Sequence, residues 1–379
     1  MIVQPQTFSF GYGDEEGLKL RCGNVLKNID VAYETYGTLN DDGSNAILVC
    51  HALTGSAHAA GKHTDEEKKS GWWDSMIGPG KAFDTDQYFV VCSNILGSCY
   101  GSTGPGSIDP ATGEEYNLNF PMITVSDMVD TQHRLMEHLK IKKWLSIAGG
   151  SLGGMQALYW AVAYPEKVHT VMPIATTSML SPQSIAFDWV GRESVMADKN
   201  FNNGKYTKEN PPEKGLAISR MLAHITYLSE VGMRDKFGRR LQEMEEYNFD
   251  FGYNFQVESY LKYQGTQFVN RFDANSYLYI TRAMDYFNLS SEFGEKEDLA
   301  AVLDRALAKF LIVSFSSDWL FPPYQSVEIV KALQKCRREV TYCEIKSDYG
   351  HDAFLLEDDA LGSIVRNFLA AHKESFKHE

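Results

Sequence analysis

The chain has 379 residues, of which 44% are hydrophobic and 23% charged, and its formal net charge is −14 at neutral pH. That is the composition of a folded globular protein with a sizeable core, and the acidic balance excludes a charge-driven grip on nucleic acid or on an anionic membrane. No apolar run has the length of a membrane span, no leader-like segment opens the chain, and the six cysteines form no Cys-x-x-Cys pair, so a cytoplasmic protein with reduced, structural thiols is expected.

In chain order, residues 31–39 and 46–50 read as strands, the first alternating and the second a short apolar run, parted by the turn residues Asn40-Asp41-Asp42-Gly43. The second ends in His51-Ala52-Leu53-Thr54-Gly55, a loop able to turn a backbone N–H toward a site above the sheet. A polar stretch, 58–69, leads to Trp72-Trp73-Asp74 and a further strand over 87–92. Its turn-rich exit, 94–106, lacks the Gly-Lys-Ser/Thr ending of a phosphate loop, which excludes a nucleotide triphosphatase. Thr124-Val125-Ser126-Asp127 has capping-box spacing and opens a helix with one apolar face, running to Leu139.

Residues 144–148 form an apolar strand that enters Gly149-Gly150-Ser151-Leu152-Gly153-Gly154, and a helical pattern over 155–164 leaves it. Strand, Gly-x-Ser-x-Gly turn and helix is the arrangement that holds a serine on a strained elbow with its hydroxyl exposed. Another strand follows at 168–175, and the alternation so far predicts a mainly parallel, doubly wound sheet. From 177 to 299 the chain instead reads as helices, at 214–230, 233–247, 255–272 and 274–287, with a loop at 200–212. The expected organisation is therefore a core of residues 1–176 and 300–379 with a helical cap, 177–299, inserted over the sheet's carboxyl edge, where open α/β sheets place their ligands.

The sheet pattern resumes at 310–315 and ends beside Asp318. A helix over 324–335 and a last strand over 339–345 lead to His351, and a C-terminal helix closes the chain. Ser151, Asp318 and His351 thus occur in the order nucleophile, acid, histidine, each at the exit of a strand, which is the placement of the α/β-hydrolase fold. Ser151 needs a base, His351 can take its proton, and Asp318 can fix the imidazole tautomer. The backbone N–H groups of Leu152 and of Leu53 are the expected oxyanion donors. His51, His58 and His63 are spaced within their loop as no usual ligand set is, and no metal is expected.

His51-Ala52-Leu53-Thr54-Gly55, Gly71-Trp72-Trp73-Asp74, Asn94-Ile95-Leu96-Gly97, the elbow with Met155-Gln156-Ala157-Leu158, Ser317-Asp318-Trp319-Leu320-Phe321-Pro322-Pro323 and Gly350-His351-Asp352-Ala353-Phe354-Leu355 together resemble the homoserine O-acetyltransferase family. The resemblance spans nearly the whole chain. It implies acetyl transfer from acetyl-CoA, a co-substrate rather than a bound cofactor, to the hydroxyl of L-homoserine in methionine biosynthesis, by a ping-pong route through acyl-Ser151. A homodimer paired through the cap is also implied. Arg220 matches the family residue that holds the substrate carboxylate, Tyr227 a neighbouring tyrosine, and Asp352 the residue that holds the substrate amine. A zwitterion calls for one fixed cation and one fixed anion, and arginine can grip a carboxylate through two parallel hydrogen bonds.

Three alternatives stand beside this reading. Some family members take succinyl-CoA or accept L-serine, and those that take succinyl tend to carry an arginine just after the Asp-Trp-Leu-Phe motif, where this chain has Pro322-Pro323-Tyr324-Gln325-Ser326. Serine differs from homoserine by one methylene, a difference worth only about 1–3 kcal/mol in a pocket. A plain esterase would use the same triad. A noncatalytic binding protein on this fold would have little reason to keep all three triad members.

Overall fold

The computed structural model describes residues 1–296 and 298–376. Its centre is an eight-stranded sheet of β1 (Gln6–Phe10), β2 (Ile29–Tyr36), β3 (Ala46–Cys50), β4 (Phe89–Ser93), β5 (Trp144–Gly150), β6 (Val168–Ile174), β7 (Lys309–Phe315) and β8 (Val340–Ile345). The spatial order is β1-β2-β4-β3-β5-β6-β7-β8. β1, β2 and β4 pair antiparallel in turn, and all pairs from β4 to β8 are parallel. Every residue of β3, β4, β5 and β6 is buried, as strands covered on both faces must be.

Helices cover the two faces. α1 (Val125–His138) and α2 (Leu152–Ala163) pack on one side, α1 through Met128, Val129, Leu135 and Met136. The expected capping box holds: the Thr124 N–H donates to Asp127 Oδ2 at 2.7 Å. Between β6 and β7 run α3 (Pro182–Met196), α4 (Glu213–Tyr227), α5 (Glu230–Phe237), α6 (Gln256–Val269) and α7 (Ala274–Asp285). α8 (Pro323–Lys335) returns to the face of α1 and α2, while α9 (Asp358–Phe376) lies on the opposite face against Trp73, Ile77 and Phe83.

Four local expectations need correction. α3 was absent from the expected helices because its apolar residues are spread around the cylinder; Trp189 and Val190 are half exposed while Val195 is buried. The helix expected at 233–247 is α5, which stops at Phe237 because Gly238 takes φ 52°, ψ −132°, a non-helical conformation that glycine adopts without the strain a side chain would bring. Ser229, rather than continuing the preceding helix, caps α5 by accepting the Gly232 N–H at 2.8 Å. The edge strand β1 also went unanticipated.

Candidate active site

β3, β5, β7 and β8 deliver Leu53, Ser151, Asp318 and His351 to one edge of the sheet, and α4 carries Arg220 and Tyr227. Ser151 follows β5 with φ 58°, ψ −122°, a strained conformation for a residue with a side chain. The surroundings impose it. Its N–H donates to the Ile174 carbonyl at 3.0 Å, and its own carbonyl accepts the Thr176 hydroxyl at 2.8 Å. Two glycines make the turn sterically possible: a Cβ at Gly153 would run into the Cys50 carbonyl, and one at Gly150 into the Phe354 ring.

Asp318, just past β7, and His351, past β8, form a buried pair with Nδ1 to Oδ2 at 2.7 Å. The second carboxylate oxygen accepts the N–H groups of Leu320 and Phe321 at 3.0 and 2.9 Å, so the carboxylate can neither rotate nor lack partners. The His351 ring is lodged among Phe321, Phe354 and Tyr227, with ring centres 5.0, 5.5 and 6.1 Å away. Its loop is clamped from two sides. Gly350 N–H donates to Ser317 Oγ at 3.0 Å, and Ser229, at the start of α5, donates to the Asp348 carbonyl. Trp319 Nε1 donates to the Leu228 carbonyl at 3.0 Å, tying the Asp318 loop to the end of α4.

The His51–Gly55 loop is organised by a buried histidine. Nδ1 of His51 donates to the Ala52 carbonyl at 2.8 Å, and Nε2 accepts the Ile95 N–H at 3.1 Å, which fixes a neutral tautomer. Burial pushes the pKa of His51 down to about 4. A chain of buried amides supports the same segment: Trp160 donates to Gln132, Gln132 to Gln156, and Gln156 to the His51 carbonyl. Leu53, the next residue but one, faces Ser151 across a shared cavity. Leu152 opens α2, so its N–H belongs to the helix's unpaired first turn and is free to receive an oxyanion.

That cavity is only about 50 Å³ and is lined by Leu53, Ser151, Asp188, Tyr227, Tyr277 and Phe321, among others. Arg220 and Asp352 are absent from its lining, but the charges of both act on Tyr227, which does line it. The Arg220 guanidinium lies 5.4 Å from the Tyr227 ring centre and 4.9 Å from that of Phe268. Asp352, directly after His351, is half-buried; desolvation raises its pKa, opposed by the nearby Arg220 guanidinium. Two residues outside the sequence expectations also border the site. Arg271, beyond α6, donates to the Thr54 carbonyl at 3.2 Å and the Tyr100 hydroxyl at 3.1 Å, and Asp188 of α3 lines the cavity. Neither belongs to a motif, and no local pattern marks them.

A family model described as alpha/beta hydrolase fold matches residues 45–358. The homoserine O-acetyltransferase of Methanococcoides burtonii is 56% identical over 355 residues, covering 94% of this chain and 72% of that one. The chain belongs to the homoserine O-acetyltransferase family. The crystal structure of the family member from Bacillus anthracis superposes with a TM-score of 0.90 at 30% identity, covering 97% of this chain and 98% of that one. The crystal structure of esterase E22 is similar as well, with a TM-score of 0.88 at 32% identity over 97% of this chain and all of that one. The α/β-hydrolase architecture read from the strand exits is thus the architecture of homoserine O-acetyltransferases, and an esterase shares it.

Proposed function

We propose that this chain transfers an acetyl group from acetyl-CoA to the side-chain hydroxyl of L-homoserine through an acetyl-Ser151 intermediate. Ser151 Oγ attacks the thioester carbonyl as His351 takes its proton, and Asp318 stabilises the resulting imidazolium. The N–H groups of Leu152 and Leu53 receive the oxyanion. Collapse breaks the C–S bond, and the proton on His351 leaves with the CoA sulfur. The homoserine hydroxyl then attacks the ester carbonyl, giving its proton to His351; a second collapse returns that proton to Ser151 Oγ and releases O-acetylhomoserine. Arg220 holds the acceptor carboxylate and Asp352 its ammonium, with Tyr227 packed between them and the triad.

The observation that carries this reading is the pair of opposite charges, Arg220 and Asp352, disposed about the Tyr227–His351 contact. An amino acid needs both charges and a simple ester needs neither. The small volume beside Ser151 supports an acetyl rather than a succinyl donor, being far below the roughly 300–1,000 Å³ of ordinary ligand pockets. It also suits a route in which the two substrates come in turn and water is kept from the ester. The proposal includes a homodimer through the cap, where Trp189, Val190, Ile218 and Tyr263 leave about half their surface exposed, and a cytoplasmic place of work.

Initial rates with acetyl- or succinyl-CoA against homoserine or serine, followed by free thiol, test the assignment. Acetyl-CoA with homoserine should be fastest. With homoserine omitted, a burst of CoA equal to the enzyme concentration is expected, with the acetyl group recoverable on Ser151. The likeness to esterase E22 favours hydrolysis as a second reading. Turnover of p-nitrophenyl acetate exceeding homoserine-dependent CoA release would select it.

A further inference from the structure

Away from the acyl-transfer site, β2 carries a glutamate into the interior. Glu34 is 2% exposed, and a carboxylate so buried requires strong partners. It has three. His63 Nε2 lies 2.7 Å from Oε1, while His58 Nδ1 lies 3.0 Å and the Tyr36 hydroxyl 2.8 Å from Oε2. The two imidazoles stand face to tilted face, ring centres 4.1 Å apart. Both come from the loop just beyond the Leu53 segment.

We propose that Glu34, His58 and His63 form a zinc site that pins this loop to β2. Two imidazole nitrogens and one carboxylate oxygen are a donor set zinc favours. One ligand atom from each residue lies within 4.8 Å of the others. Bonds of about 2.0–2.2 Å in a tetrahedral site set ligands about 3.3 Å apart, so the separations of 2.7 Å to Oε1 and 3.0 Å to Oε2 must open by a few tenths of an ångström while the carboxylate and the two ring nitrogens, all within 4.8 Å of one another, turn toward the ion. Part of the surrounding shell is also that of a metal site: His63 turns its outer nitrogen, Nδ1, to Glu67 Oε1 at 3.3 Å, and Tyr36 braces the Glu34 carboxylate, while the outer nitrogen of His58 has no hydrogen-bond partner among the described residues. The His63 side chain is 33% exposed, which gives the ion a route in and water the fourth position.

The sequence spacing of the loop histidines argued against a metal because the third ligand is not in the loop; it lies 24 and 29 residues upstream, brought in by the sheet. On binding, zinc replaces the protons on His58 Nδ1 and His63 Nε2. A neutral ring moves the displaced proton to its other nitrogen and releases none, whereas a protonated ring keeps one proton there and loses the other to solvent, so binding weakens in acid.

The test is a titration of the chelator-treated full chain with zinc against a chromophoric competitor, repeated with cobalt(II) to read its visible ligand-field bands. One zinc per chain is expected, with a rise in melting temperature. His58→Ala and His63→Ala should each weaken binding about 10-fold or more and remove the cobalt bands, while His138→Ala, remote from the cluster, should change neither. Circular dichroism of the variants checks folding, and Glu34→Gln supplies a third ligand deletion. Failure of the wild-type chain to take up one zinc from micromolar free metal, or wild-type zinc affinity retained in folded His58→Ala and His63→Ala, overturns the site. Neither result bears on acyl transfer, which has a separate readout.

Discussion

Nδ1 of His351 meets Oδ2 of Asp318 at 2.7 Å, and the other carboxylate oxygen is already held by two backbone N–H groups. The pair is therefore preset before substrate arrives. Asp318→Asn should keep the backbone bonds through its side-chain oxygen yet present an amide N–H to the imidazole, favouring the wrong tautomer. A kcat lower by about 10³–10⁴ is expected, with a near-native melting temperature. Stopped-flow measurement of the CoA burst reads it, and an undiminished burst rate would remove Asp318 from the triad.

Gly153 offers a steric test. A Cβ there meets the Cys50 carbonyl at the root of the Leu53 loop. Gly153→Ala should cost about 1–3 kcal/mol of stability by forcing backbone to move. The burst rate should also drop about 10²–10³-fold, as for a lost oxyanion donor. Chemical denaturation together with the burst separates the two effects; stability loss alone would mean that the loop's N–H groups keep their aim.

Arg220→Lys preserves charge but loses the planar fork. If Arg220 binds the acceptor carboxylate, KM for homoserine should rise about 10–100-fold, equivalent to roughly 1.5–3 kcal/mol of charge-assisted hydrogen bonding. The burst with acetyl-CoA alone should be unchanged. Asp352 must be ionised to hold an ammonium, and burial raises its pKa, so homoserine KM should climb as pH falls. Asp352→Asn should bind poorly at every pH and flatten that dependence.

His51 makes the fold acid-sensitive. Its folded pKa, about 4, lies below its ordinary 6.5, so between those values the unfolded chain binds a proton that the folded one refuses. Stability from this group is complete above pH 6.5 and falls as pH drops toward 4, reaching a loss of about 2 kcal/mol at pH 5. Calorimetry at pH 7 and pH 5 should show a shallower decline in His51→Asn than in the wild type, though the variant is weaker at neutral pH. Parallel declines would place the acid sensitivity elsewhere.

The parts legible in the sequence were those with short-range signatures. Ser151 sits between glycines at the end of a buried strand and at the start of a helix, Asp318 follows the apolar strand β7, and His351 follows the last strand in the chain order that completes the set. β3, as bounded by the apolar run 46–50, matches the structure because both faces are covered and the run has no polar interruption. α3 and β1 lacked such signatures, being half exposed with mixed faces. Arg271 and Glu34 were invisible for another reason. Each matters through partners brought from distant stretches, Thr54 and Tyr100 in one case and His58 and His63 in the other, and no local pattern records a long-range contact.

Phe354 places its ring under Gly150 and accepts a hydrogen bond from Trp73 Nε1 at 3.1 Å, three residues after His351. Segments from the first and last fifths of the chain thus meet each other beneath the elbow. During synthesis on the ribosome, the serine emerges long before its base. Until the final stretch has left the exit tunnel and docked, the nascent chain holds Ser151 without the histidine proposed to activate it.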